Sequence, residues 1–197
     1  MTIRRYFLGL GLALSLLGFA QAQNAAPQVK FTTSAGEFVI ELYPDKAPNT
    51  VENFLAYVRD GHYNGTIFHR VINNFMIQGG GYDARYMEKP TRPPIKHEGA
   101  EVKAKGGPTN TVGTIAMART NNPHSASSQF FINVKDNDFL NHSAPTAQGW
   151  GYVAFGKVVS GMEVVNKIKQ THTGSGGPFP SDVPQTQVVI QSAVLVK

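Results

Sequence analysis

The stretch Phe68–Gly81 reads FHRVINNFMIQGGG, and its interpretation decides the fold. Ile67 to Ile72 is a strand-like run with Arg70 in its middle. Asn73-Asn74 forms a polar turn, Phe75 to Ile77 is a second apolar run, and Gln78 and three glycines follow. Successive strand side chains point to opposite faces, so Arg70 is expected to share a face with Phe68 and Ile72. A charge among apolar neighbours must be paired or put to use, because burying it unpaired is costly. On the strand alone, the ordinary reading is an arginine with its head in water or in a salt bridge.

Upstream, Val29–Thr33 and Glu37–Tyr43 alternate about the turn signal Ser34-Ala35-Gly36, which predicts a hairpin. Pro44 to Pro48 breaks it. Thr50 to Asp60 then sets Val51, Phe54, Leu55 and Val58 on one helical stripe, with Asn49 as the expected N-cap and Gly61 as the stop. Asn64-Gly65 is a tight-turn dipeptide leading into the Arg70 strand.

Downstream, Tyr82–Thr111 is rich in Pro, Gly and charge. It reads as a long excursion with at most one short strand near Ile95–Glu98, and loops of that length usually serve binding. Gly113–Ala118, Ser128–Asn133 and Tyr152–Val159 are strands. Asp138-Phe139-Leu140 places two large apolar residues in a short turn. Ser160 and Glu163 have capping-box spacing at the start of a second helix, whose apolar face is Met162, Val165 and Ile168. Thr173–Pro184 reads as a Gly/Pro/Ser loop, and Val188–Val196 as the last strand.

About eight short strands, two helices and no βαβ rhythm predict a mainly β protein: a closed eight-stranded antiparallel barrel capped by two α-helices. A β-sandwich with two added helices is the alternative. A barrel of about eight strands fills its interior with side chains, so a ligand site belongs outside, between a barrel face and the loops.

The 197 residues suffice for one domain with a real core. Cysteine is absent, which excludes disulfides, thiol nucleophiles and thiolate metal sites. The net charge of +5 includes Arg4 and Arg5 near the N-terminus, and the other basic residues are scattered, which argues against nucleic-acid binding. Arg4 and Arg5, the apolar run Phe7–Ala20 and the A-x-A site Ala20-Gln21-Ala22 read as a cleavable signal peptide over residues 1–22. Residues 23–197 then form a single exported domain with no membrane attachment after processing. Arg4-Arg5 leaves the Sec and twin-arginine export routes both open.

No HExxH, GxSxG or P-loop occurs, and the six histidines lack ligand spacing, so no metal is expected. What remains is apolar side chains on loops and strands, one arginine and amide side chains. Phe75, Met76, Phe131, Phe139 and Leu140 are candidates to line a small apolar pocket, beside which Arg70, Gln78 and Gln129 would fix a peptide backbone. The ordinary reading of each aromatic is core, one of Phe130 and Phe131 must face inward by alternation, and Gln78 and Gln129 are equally readable as satisfied strand glutamines.

The segments FHRVINNFMIQGG, GTIAMAR, SSQFFINV, DFLN and YVAFGKVVSGMEVV, in this order, resemble the signature segments of the cyclophilin peptidyl-prolyl isomerases, with wording nearest the bacterial exported branch. The resemblance covers about Val29 to Val196. It implies an eight-stranded barrel with two helices and isomerisation of X-Pro bonds. The accompanying expectations are proline-containing unfolded or partly folded polypeptides as partners, no cofactor, a monomer, and a periplasmic location in a Gram-negative bacterium. By motif match, Arg70 is the catalytic arginine. Phe75, Met76, Phe131 and Leu140 form the proline pocket, and Gln78, Ala118 and Gln129 hold the substrate backbone.

Three positions depart from the commonest eukaryotic pattern. Phe139 stands for a tryptophan, Tyr152 for a histidine, and Arg119 for an asparagine whose backbone pairs with substrate. Phe139 lacks an indole N–H donor, so weak or absent cyclosporin binding is expected. A non-catalytic module that holds Pro-containing chains, and a hollow barrel carrying a small apolar ligand, are the competing readings.

Overall fold

The computed structural model describes residues 26–196, and the expected leader over residues 1–22 lies outside the described residues. Eight antiparallel strands make one sheet: β1 (Gln28–Thr33), β2 (Gly36–Leu42), β3 (Thr66–Ile72), β4 (Met76–Asp83), β5 (Thr114–Met117), β6 (Phe130–Asn133), β7 (Ala154–Ser160) and β10 (Ile190–Leu195). Between β7 and β10 lie the short strands β8 (Thr173–Gly176) and β9 (Phe179–Pro184), a separate hairpin. The strand order is β10-β1-β2-β7-β5-β6-β4-β3. The ends meet: Gly65 and Phe68 donate their N–H groups to the Ile190 and Val188 carbonyls at 2.8 and 3.0 Å, and Ile67 bridges Val189. The predicted eight-stranded barrel is the observed fold.

Its interior is packed, not hollow. Phe31, Phe38, Phe54, Tyr63, Phe130 and Phe155 meet there, with Phe31 stacked on Phe38 at 4.9 Å. The helix α1 (Pro48–Arg59) contributes Val51, Phe54, Leu55 and Val58, as its periodicity requires, and Gly61 follows its end with φ +65°. Truncating Phe54 would cost about 3–5 kcal/mol, the usual loss for a core phenylalanine.

Four local expectations fail. Asn49 is not the N-cap of α1. Pro48 starts the helix and Asn49 lies inside it, its N–H accepted by a carboxylate from far along the chain, Glu98. Ser160 and Glu163 form no capping box, because Ser160 ends β7 and the helix α3 (Met162–Lys169) follows Gly161 at φ +79°. The Tyr82–Thr111 excursion contains a further short helix, α2 (Gly99–Ala104), so the described residues hold three helices, not two. Its only strand-like pairing near Ile95 is a single bridge to Ala126. Finally, Thr173–Pro184 is the β8–β9 hairpin and not a loop.

No helix among the described residues is long and apolar enough to cross a membrane.

Candidate active site

Alternation along four neighbouring strands builds the floor of the site. Ile77, Ile132 and Ile115 oppose one another and point into the barrel. Their neighbours Met76, Phe131 and Ala116, with Ala154 of β7, therefore point outward. These four join Leu140, from the 3-10 turn Asp138–Leu140, in a second apolar cluster separate from the core. Phe130 faces inward and Phe131 outward, as alternation demanded.

Arg70 reaches this outer surface by a different route from the one expected. Phe68 opposes Gly79 and Arg70 opposes Gln78, so two steps of β3 match one step of β4. The extra residue, His69, makes a β-bulge. The bulge shifts the phase of the strand: Phe68 and Val71 enter the barrel core, while Arg70 and Ile72 lie on the outer side. The expected common face of Arg70 and Phe68 is thus broken, and the arginine escapes burial. On β4, Gly80 has φ +86°, and a Cβ there would come within 2.9 Å of the Phe130 and Tyr63 rings. A side chain is therefore excluded at that bend.

A depression of about 450 Å³ collects Arg70, Phe75, Met76, Gln78, Ala118, Arg119, Gln129, Phe131, Leu140 and Tyr152, all of them predicted from the sequence. Phe139 lies at the rim instead. It is 72% exposed and stacks on Phe75 at 5.9 Å. Gln78 Nε2 donates to Gln129 Oε1 at 3.0 Å, joining β4 to the segment before β6. The Arg119 side chain is engaged by the protein: Nε donates to the Gly151 carbonyl and Nη1 to the Thr120 carbonyl, each at 2.8 Å, and its guanidinium lies 4.6 Å from the Tyr152 ring centroid. Tyr152 in turn meets Phe131 edge-on at 5.5 Å. Arg119 thus holds one wall in place, while Arg70 is left to face the cavity.

One wall of the depression lies outside the residues expected from the sequence. His69, Tyr82 and the hairpin residues Phe179, Pro180, Ser181 and Asp182 complete the depression. His69 stacks on Phe179 at 5.3 Å, and Tyr82 meets both rings edge-on. Burial, reinforced by the Arg70 charge, pushes the His69 imidazole down to about 4, so it is neutral at pH 7. Asp182, at φ +66°, turns its carboxylate to within 3.9 Å of Arg70 Nε.

The arrangement is a half-exposed guanidinium beside an apolar slot, with two amide side chains alongside. Among the described residues, no group of three His, Cys, Asp or Glu side chains could hold a metal ion.

The family model for "Cyclophilin type peptidyl-prolyl cis-trans isomerase/CLD" matches residues 28–195. The chain belongs to the cyclophilin family. It is 56% identical over 167 residues to peptidyl-prolyl cis-trans isomerase B of Escherichia coli, covering 85% of this chain and 98% of that protein. It is 48% identical over 196 residues to peptidyl-prolyl cis-trans isomerase A of Dickeya dadantii, covering 98% of each chain. Among solved structures it is similar to a cyclophilin-type isomerase of Cryptosporidium parvum, with a TM-score of 0.64 and 26% identity over 87% of this chain and 98% of the other. A second crystal structure of that protein, obtained in the presence of the dipeptide Ala-Pro, matches with a TM-score of 0.62 and 26% identity over 86% of this chain and 99% of the other.

Proposed function

We propose that this cyclophilin isomerises X-Pro peptide bonds in exported polypeptides, with Arg70 stabilising the twisted imide and the Phe75/Met76/Phe131/Leu140 slot gripping the proline ring. The observation that carries the reading is the juxtaposition of the Arg70 guanidinium and that slot in one depression.

The chemistry asks for no more than this. An X-Pro amide resists rotation because its C–N bond has partial double-bond character, with a barrier of about 18–20 kcal/mol. No bond breaks and no proton must move, so no nucleophile or general base is required. The half-rotated imide localises a lone pair on nitrogen. A cation aimed there binds the twisted form better than the planar one, which is differential binding of the transition state. A charge-assisted hydrogen bond of about 1.5–3 kcal/mol corresponds to roughly ten- to a hundredfold in rate. Gln78, Gln129 and the Ala118 backbone anchor one side of the substrate while the slot holds the ring, which supplies the rest by orientation. Arginine suits the role because it stays charged and presents a fixed planar set of donors.

Export is part of the reading and rests on the Arg4-Arg5, Phe7–Ala20 and Ala20-Gln21-Ala22 pattern. The proposal includes action in the periplasm without a cofactor.

The test is catalysis of the slow, proline-limited phase of refolding of a model substrate protein, with the cyclophilin present at far below one equivalent. Acceleration under those conditions is the expected result. Acceleration only at one equivalent or above would favour a module that holds Pro-containing chains without turning them over.

A further inference from the structure

Asn110, Asn133 and Asn137 are each at most 1% exposed, and the chemistry above makes no use of them. A buried amide must be hydrogen-bonded to be tolerated. These three are bonded to one another and to the slot. Asn137 Nδ2 donates to the Phe75 carbonyl at 2.9 Å and to Asn133 Oδ1 at 2.8 Å. Asn133 Nδ2 donates to Asn110 Oδ1 at 3.2 Å and to Thr114 Oγ1 at 3.0 Å. Asn110 Nδ2 donates to the Leu140 carbonyl at 3.2 Å, to the Tyr152 carbonyl at 3.1 Å and to Asn141 Oδ1 at 3.0 Å. Both ends of the ladder are backbone carbonyls, which only accept, so the orientation of Asn137 and Asn110 is fixed by their partners.

The ends of the ladder are walls of the slot. Phe75 comes from the turn between β3 and β4, Leu140 from the 3-10 turn, and Tyr152 from the segment before β7. Asn133 stands two residues beyond Phe131 on the same outward face of β6, so the ladder runs next to the slot's floor.

We propose that the Asn110–Asn133–Asn137 ladder is a positioning device that sets the width of the proline slot by tying the Phe75 carbonyl to those of Leu140 and Tyr152. The inference rests on the slot being the proline site, as read above. The members act together, since removing one amide leaves its neighbours' donors and acceptors unpaired. Loss of the ladder widens the slot while leaving Arg70 untouched, so it acts on substrate affinity before it acts on turnover.

The experiment measures the dissociation constant of a short Pro-containing peptide by NMR titration, and the turnover of the bound peptide by exchange spectroscopy. Asn137→Ser and Asn110→Ser, at opposite ends, are each expected to weaken binding at least fivefold and to slow the bound-state turnover less than twofold. Thr66→Val is the structural control: its fully buried hydroxyl bonds to the Tyr63 carbonyl at 2.6 Å and does not line the slot. It is expected to lose stability and keep its affinity.

Should the serine variants fail to fold, half-buried Asn141 serves instead. Asn141→Ala removes the acceptor for the N–H and Nδ2 of Asn110 and should weaken binding, and Asn141→Asp keeps that acceptor and should restore it. Wild-type affinity in both serine variants, or in Asn141→Ala where those do not fold, would overturn the proposal. So would an equal loss of affinity in Thr66→Val. A wild-type protein without isomerase activity would instead overturn the functional reading on which the proposal rests.

Discussion

The Nε of Arg70 lies 3.9 Å from the Asp182 carboxylate, an ion pair between β3 and the β8–β9 hairpin. The side chains are 44% and 36% exposed, which limits such a pair to about 1 kcal/mol or less. Its consequence is orientation: with Nε turned toward Asp182, the outer N–H groups of the guanidinium fork remain available to substrate. Asp182→Asn is expected to lower the turnover of a Pro-containing peptide by about two- to fivefold with little change in affinity. The residual dependence of turnover on ionic strength should flatten. A full-rate Asp182→Asn would detach the hairpin from catalysis.

Stability should fall in mild acid. His69 and His97 are both buried, and burial pushes each imidazole down to about 4. At His97 the nearby charges of Arg119, His142 and His124 act in the same direction. His97 Nδ1 accepts the Gly99 N–H at 3.0 Å, which suits the neutral ring with its proton on Nε2, facing the Gly151 carbonyl. The unfolded chain binds protons at these two sites near pH 6.5, the folded chain only near 4. Between those values the unfolded state holds more protons, so stability rises with pH there and is flat above. Each site contributes a slope of up to about 1.4 kcal/mol per pH unit. Urea midpoints at several pH values, followed by the emission of the single Trp150, should show a decline that begins below about pH 6.5.

Glu98 caps α1 across 48 residues of chain: its carboxylate accepts the N–H and side chain of Asn49 at 3.1 and 2.8 Å and the N–H and hydroxyl of Thr50 at 2.7 and 2.6 Å. Removing it leaves buried donors unpaired and a helix N-terminus without its anion. Glu98→Ala should cost about 2–3 kcal/mol by denaturant titration, with isomerase activity at 25 °C retained.

Cyclosporin should inhibit poorly, because Phe139 offers a ring at the rim and no donor. Phe139→Trp restores an indole N–H at that place. It is expected to tighten cyclosporin inhibition several-fold, consistent with one added hydrogen bond of about 1 kcal/mol. The turnover of a short Pro peptide should change much less.

The legible parts of the molecule were those written in local periodicity. The alternation of Phe130 and Phe131, the stripe Val51, Phe54, Leu55 and Val58, and the Asn64-Gly65 turn all specify their surroundings within a few residues. What escaped depends on distant partners. The β8–β9 strands carry Gly174, Gly176, Pro180 and Pro184, which read as loop chemistry, and the hairpin was not visible as the wall of a cavity. The bulge at His69 is set by pairing with β4, so the parting of Arg70 from the face of Phe68 was invisible on β3 alone, whereas an arginine head in water or in a salt bridge was legible there. Glu98 and the asparagine ladder join residues tens of positions apart, and no periodicity records such pairs.

The most direct test of the account is the rate of prolyl isomerisation in Arg70→Ala, measured on a short peptide by a protease-coupled assay with the fold verified by circular dichroism. Binding of the peptide should persist through the apolar slot while the rate constant falls at least about tenfold, the loss expected for one charge-assisted hydrogen bond made in the twisted state. Arg70→Lys should recover only part of it, since a point charge lacks the planar fork. A folded Arg70→Ala protein that isomerises at the wild-type rate would contradict the account.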